Sequence, residues 1–232
     1  WREAGYFDVA SHQKWLLHTW SLSVEWQFYL LLPAILWLVW KIRPGRRSQL
    51  IALSAISALS LALCVIFTAS NPSAAFYLLP MRAWEMLAGG LIAVRGGAAL
   101  SPRAGRIVQW TGLALIVCAI LAFDHHTPWP GWRALLPVGA TMLVLLANRA
   151  SPLTAGSLAS WIGIRSYSIY LWHWPLYVTL AYLELQRNPF AIALAIAATL
   201  LIGHLSFRWV ETPARVSLGH LRTPLAAFAI AA

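Results

Sequence analysis

The sequence predicts an all-α integral membrane protein, a multi-helix transmembrane bundle of about seven spans. Three observations predict it. Apolar residue types make up 60% of the 232 residues and charged types only 10%, against roughly 45–50% and 25% in soluble domains. The apolar residues run in stretches near twenty long, enough at 1.5 Å per residue to cross a hydrocarbon core about 30 Å thick. Many of the 14 tryptophans flank these stretches, as in the aromatic belts at membrane–water interfaces. So few charges leave too little polar surface for a soluble domain, and the high apolar content excludes a disordered chain.

Seven segments follow in order: residues 20–40, 49–69, 76–94, 106–123, 134–148, 158–180 and 190–209. None alternates with period two, so they read as helices and not barrel strands. The fifth is at the lower limit for a span. A net charge of +10 suits nucleic acid when it lines a soluble face, but here the cations sit in short clusters between apolar segments. Lys41, Arg43, Arg46, Arg47, Arg95, Arg103, Arg106, Arg149, Arg165, Arg208, Arg215 and Arg222 fall on one side. Only Arg133 and Arg187 fall in the connections on the other. The positive-inside rule makes the first side cytoplasmic. Trp1 is then outside, with Arg2 and Lys14 as a mild exception, residues after Val210 are cytoplasmic, and the host is the cell's inner membrane.

Cys64 and Cys118 lie inside apolar segments, with neither metal spacing nor a disulfide framework. Asp124-His125-His126 lacks a third ligand at metal spacing and reads as a loop. The chain opens at Trp1, and residues 224–232 form an apolar run too short to span. The expectation is a fragment: one membrane domain over 1–223, then the start of a further, truncated segment over 224–232.

Ionisable groups inside a span are costly and point to function. His18, Ser21, Glu25 and Tyr29 share a stripe if the first helix is already formed at His18. Imidazole, hydroxyl and carboxylate are parts suited to moving protons; the bland reading is helix capping by Ser21 and Glu25. Arg82 and Glu85 are i, i+3 neighbours able to pair, and Gly89 follows on their face, where it permits close helix packing. They are either site residues or an internal ion pair that locks helices. Ser166, Tyr170 and His173 share a stripe ahead of Pro175, which removes a backbone bond and should kink the helix. His173 is otherwise a satisfied core or interfacial histidine. At 1.5 Å per residue, Glu85 lies about 14 Å from one face and His173 about 22 Å from the other, which puts Glu25, Arg82, Glu85 and His173 in one outer layer. His204, Arg208 and Glu211 near Arg165 and Arg215 suit either a phosphorylated donor or plain cytoplasmic positive charge.

At these residues the chain resembles a known family. His18-Thr-Trp-Ser-Leu-Ser-Val-Glu25-Trp-Gln-Phe-Tyr-Leu is similar to the signature segment of acyltransferase family 3, the membrane O-acetylases of surface polysaccharides. Arg82-x-x-Glu85-x-x-x-Gly89 resembles the next motif. Pro130-Gly131 with Leu136-Pro137, then Ser168-Ile-Tyr-Leu-Trp-His173-Trp-Pro175, then Glu211-x-Pro213 follow in family order. The family usually has a second acid after Glu25, where this chain has Trp26, so a paired carboxylate is not expected. The resemblance implies a ten-helix domain that moves an acyl group, typically acetyl from cytoplasmic acetyl-CoA, to a sugar hydroxyl outside. No metal is implied. It also implies three further spans upstream, with a catalytic histidine in the first, and little activity without them. The partners it implies are the lipid bilayer, a polysaccharide or glycolipid acceptor and those upstream helices, not nucleic acid. Glu25, His18, Arg82, Glu85 and His173 are the candidate catalytic residues: Glu25 to orient or deprotonate a histidine, His18 to share its network, Arg82 to stabilise an oxyanion or hold Glu85. A polytopic transporter or flippase is the alternative, since mid-span polar groups and a proline-broken helix mark those too.

Overall fold

The computed structural model describes residues 14–96, 100–124 and 127–219. His125 and His126, the ends at Trp1 and Arg2, and everything from 220 on, Arg222 and the run 224–232 included, lie outside the described residues. The described chain is helical: α1 (Trp20–Ile42), α2 (Arg46–Ser70), α3 (Pro72–Tyr77), α4 (Leu79–Arg95), α5 (Pro102–Ala122), α6 (Leu135–Ala147), α7 (Pro152–Ala155), α8 (Ser157–Ile164), α9 (Ser166–Tyr182), α10 (Pro189–Ser206) and α11 (Thr212–Gly219). Short 3₁₀ turns at Leu17–Thr19 and Gly131–Ala134 precede α1 and α6, and a π turn at Phe207–Glu211 joins α10 to α11.

The expected all-α membrane bundle is observed, but the count of about seven spans is corrected. Among the described residues, four helices are long and apolar enough to cross a bilayer: Leu17–Ile42, Arg46–Ser70, Pro102–Ala122 and Pro189–Ser217. A fifth span results if Gly131–Ala147 and Pro152–Ile164, bent by 95°, count as one. Two local causes explain the difference. The segment expected over 76–94 is broken at extended Leu78, because Pro80 has no N–H to give the carbonyl of Phe76. The segment expected over 158–180 is broken at Arg165. There the backbone N–H turns to Ile162, and the guanidinium donates instead to the Trp161 carbonyl at 3.0 Å. Pro175 lies inside α9, which continues unbroken across it.

Start signals are plain. Asn71, Ser101 and Asn188 each accept from backbone N–H groups of α3, α5 and α10, each followed directly by proline. The α6 helix ends on Asn148 in the left-handed conformation.

The chain forms two compact units, with the boundary inside α1. In the unit Gln27–Arg149, α2 packs on α4 and α5 on α6. Cys64, Met81, Trp84 and Ala134 form a buried cluster flanked by Phe67, Trp129 and Val138. Gly112 sets the α5–α6 approach: a Cβ there would lie 2.7 Å from the Ala140 carbonyl oxygen.

Ser60 fastens α2 to α4 from within the helix itself. Its hydroxyl donates to the Pro80 carbonyl at 2.6 Å and accepts from the Trp84 N–H at 3.0 Å, so it stands in the i, i+4 bond those two groups would share. Ser60→Ala is expected to lower the thermal midpoint in detergent by an amount equivalent to about 1–2 kcal/mol. An unchanged midpoint would mean that Pro80 and Trp84 close on each other without the hydroxyl.

The second unit comprises, among the described residues, 14–26 and 150–219. There α9 packs on α10 at Gly203, where a Cβ would come within 3.0 Å of the Ile169 Cα.

Candidate active site

The polar groups fall into two clusters, one in each unit. In the second unit, His18 sits in the 3₁₀ turn Leu17–Thr19, ahead of α1 and not in it. The single α-helical stripe from His18 to Tyr29 is therefore corrected. Ser21 lies inside α1 and does not cap it through its side chain; its hydroxyl meets the Tyr170 hydroxyl at 2.6 Å. Tyr170 also donates to the His18 carbonyl. The two chain segments are thereby tied together by one phenol.

His18 is only 2% exposed. Its ring stands edge-on to His173 at 5.3 Å between centroids, tilted to Tyr170 at 5.1 Å and stacked on Trp174 at 6.2 Å. Trp174 is itself fixed, its indole N–H donating to the Lys14 carbonyl at 2.8 Å. Among the described residues His18 makes no side-chain hydrogen bond, and the backbone of Leu171 is its polar neighbour. A buried imidazole held by three aromatic neighbours, and tied to no other side chain by a hydrogen bond, is suited to exchange a proton with a bound molecule. His173 differs: its Nδ1 is engaged with the Tyr170 carbonyl. Glu25 is half-buried in the second turn of α1. It makes no hydrogen bond or ion pair among the described residues.

At the far end of α9 lies a network that the residue spacing left undecided. Ser168, fully buried, donates to Glu211 at 2.6 Å. Glu211 also pairs with Arg215 at 3.1 Å. Arg165 donates through Nε to His204 Nδ1 at 2.9 Å, and its guanidinium lies 4.6 Å from the Trp161 ring and 4.9 Å from the Phe207 ring. These residues fasten α9 to the end of α10 and are not loose surface charges. The Ser168–Glu211 bond spans 43 positions, and the separate motifs carrying the two residues were its only trace in the sequence.

In the first unit, Arg82 and Glu85 pair at 2.8 Å through Glu85 Oε2, and the Arg82 guanidinium lies 5.6 Å from the Phe76 ring. The expected pair is therefore present. Glu85 Oε1 is buried with no hydrogen-bond partner among the described residues. Among the described residues Gly89 is not at a close helix contact: outside its own helix backbone, no atom lies within 4 Å of where its Cβ would be. Gly89 and Glu85 instead line a cavity of about 320 Å³. The structure thus gathers His18, Glu25 and His173 in one unit, and Arg82 and Glu85 in the other.

Thr68 holds the Gly131–Ala134 turn beside this cavity. It donates to the Cys64 carbonyl at 2.7 Å and accepts from the Gly131 N–H at 3.0 Å. Gly131 has φ +47°, and a Cβ there would lie 3.2 Å from Thr68 Cγ2, so glycine suits this position twice over.

Apolar membrane-length helices, with a buried imidazole and a carboxylate at the start of the first and an ion pair on the shorter α4, define a polytopic membrane protein with polar sites among its helices. The chain belongs to the acyltransferase domain family, whose model matches residues 4–208. It is 32% identical over 210 residues to a protein named as the membrane-bound transacylase BcsY of Komagataeibacter xylinus, covering 89% of this chain and 53% of that one. It is 34% identical over 229 residues to the peptidoglycan O-acetyltransferase OatA of Listeria monocytogenes, covering 90% and 37%. It is 27% identical over 217 residues to the O-acetyltransferase OatA of Staphylococcus aureus, covering 86% and 36%. The chain thus spans about half or less of these relatives' lengths. No solved structure matches it.

Proposed function

We propose that the whole protein is a membrane O-acyltransferase. It takes an acetyl group from acetyl-CoA on the cytoplasmic side and places it on a hydroxyl of a surface glycan or glycolipid on the outer side. The observation that carries this reading is His18, buried, held by the rings of Tyr170 and His173, with no side-chain hydrogen bond among the described residues. An attacking sugar hydroxyl must lose its proton as it adds to the acyl carbonyl, and an imidazole is the side chain best suited to take it near neutral pH. Glu25, on the same stretch of chain, supplies a carboxylate to orient an imidazolium and offset its charge. Family membership and the relatives named as O-acetyltransferases support the same reading.

The test is reconstitution of the full-length protein with acetyl-CoA labelled in the acetyl group and a soluble oligosaccharide acceptor, including peptidoglycan fragments. Alkali-labile label on the sugar is the expected result. No label on any sugar would remove the reading.

The proposed direction of transfer requires the sidedness inferred from the basic residues. Cysteines placed one at a time at Ser48 and Ser101, with exposed Cys118 changed to Ser and buried Cys64 kept, should react with an impermeant thiol reagent only from the cytoplasm. Cysteines at Asn71 and Thr127 should react only from outside. Labelling of the Asn71 position from the cytoplasm would reverse the orientation.

A further inference from the structure

We propose that the cavity lined by α4 and α6 binds one neutral sugar unit of the acceptor, through its hydroxyl groups. This inference rests on the acyltransferase reading and assigns its acceptor subsite.

The cavity measures about 320 Å³, at the low end of small-molecule sites, which run roughly 300–1,000 Å³. That is room for a single sugar ring. Its wall is mostly apolar, with Pro137 and Val138 among the lining residues, and carries Glu85 and Thr141 beside the indole of Trp129, whose N–H is the one donor type among them. Glu85 and Thr141 are left as acceptors. Glu85 Oε2 is taken by Arg82, while Oε1 is buried without a donor among the described residues. Thr141 spends its proton on the Pro137 carbonyl at 2.9 Å, so only its lone pairs remain.

A wall that offers acceptors selects a ligand that brings donors. Phosphates and a thioester carbonyl bring none and would set further oxygen lone pairs against Glu85 Oε1, which disfavours both ends of an acyl-CoA here. A cation brings donors, but Glu85 already has its counter-charge in Arg82, and a second buried cation would lose its hydration without full compensation. A neutral sugar brings hydroxyl donors on its edge and C–H faces for the apolar walls. A buried carboxylate oxygen with no donor is among the costlier unmet groups in a protein, and a hydroxyl answers it.

Gly89 keeps the space open. Among the described residues, no atom outside its own helix backbone lies within 4 Å of its would-be Cβ, and Gly89 lines the cavity, so a larger side chain there takes up cavity space. Gly90 is equally uncrowded but does not line the cavity, and serves as the control.

The experiment uses the full-length protein with wild-type Gly89, Gly89→Leu, Gly90→Leu and Thr141→Val. Gly89→Leu is expected to raise the KM for the oligosaccharide acceptor at least tenfold and to leave the KM for acetyl-CoA unchanged. Thr141→Val, close in shape, should raise the acceptor KM several-fold, and Gly90→Leu should match wild type. A rise in the acetyl-CoA KM alone, or no change in either, overturns the assignment. Thermal protection by the oligosaccharide, without any acyl donor, gives an independent readout. Protection of wild type and Gly90→Leu but not of Gly89→Leu supports the cavity even if no acyl transfer is found, so that the two readings fail separately. Equal protection of all variants, or none of wild type, overturns it. Should Gly89→Leu not fold, Thr141→Val alone decides: loss of protection supports the site, and full protection with unchanged KM removes it.

Discussion

Glu25→Gln in the full-length protein is expected to insert and fold at wild-type levels and to lose acyl transfer by about 10²–10⁴-fold, the range for removal of a general acid–base group. Stability is spared because Glu25 is only half-buried and has no hydrogen bond or ion pair among the described residues; glutamine fills the same volume. A charge that merely favours the start of α1 contributes about 0.3–1 kcal/mol to the helix and nothing to turnover. The two roles therefore separate cleanly. Protein level and thermal midpoint report the first, and labelled acetate on the sugar reports the second. Wild-type transfer by Glu25→Gln would reduce the residue to a helix-end charge and shift the proton chemistry wholly to histidine.

What was legible in the sequence follows the physics of each feature. The helices were legible because length and apolar content depend on neighbours along the chain. The segment expected over 106–123 is α5, and the one over 134–148 is α6. The breaks at Leu78 and Arg165 were not read, although Pro80 carried the first signal in the open. The break at Arg165 has no local cause in residue type, since the guanidinium that replaces the backbone bond is set by Trp161, Phe207 and His204, the last two about forty residues on.

The candidate residues were legible as costly groups in apolar surroundings, but not their partners. Gly89 was expected at a helix contact, and the structure puts it on a cavity. Tyr170 was placed on a stripe with His173, yet its tie to Ser21 and His18 joins segments about 150 positions apart. The motifs behind the family resemblance converge within the units. Glu85 and Gly89 meet Pro137 around one cavity, His18 meets His173, and Ser168 meets Glu211. Motif order gave the family; the hydrogen bonds and ring contacts give each motif its neighbours.

Arg82→Ala is expected to lower the amount of folded protein sharply, and the double variant Arg82→Ala, Glu85→Ala to restore most of it while remaining deficient in transfer. The single change removes the donor on Glu85 Oε2 and leaves a largely buried carboxylate with neither oxygen paired to it. Breaking a fully buried pair costs about 3–5 kcal/mol. Both members here are near one-fifth exposed, which places this loss toward the lower end. Removing both charges takes away that penalty, since a missing pair is far better tolerated than half of one. Phe76 loses its guanidinium neighbour in either case, so that contribution is common to both variants and cancels in the comparison. If Glu85 holds the acceptor, the restored double variant should show a raised acceptor KM, because alanine offers no oxygen to the sugar hydroxyl. The measurements are folded protein by size-exclusion chromatography in detergent and transfer kinetics on the same preparations. A double variant that is both stable and fully active would show the pair to be a fastening of α4 alone, and would take Arg82 and Glu85 out of the site.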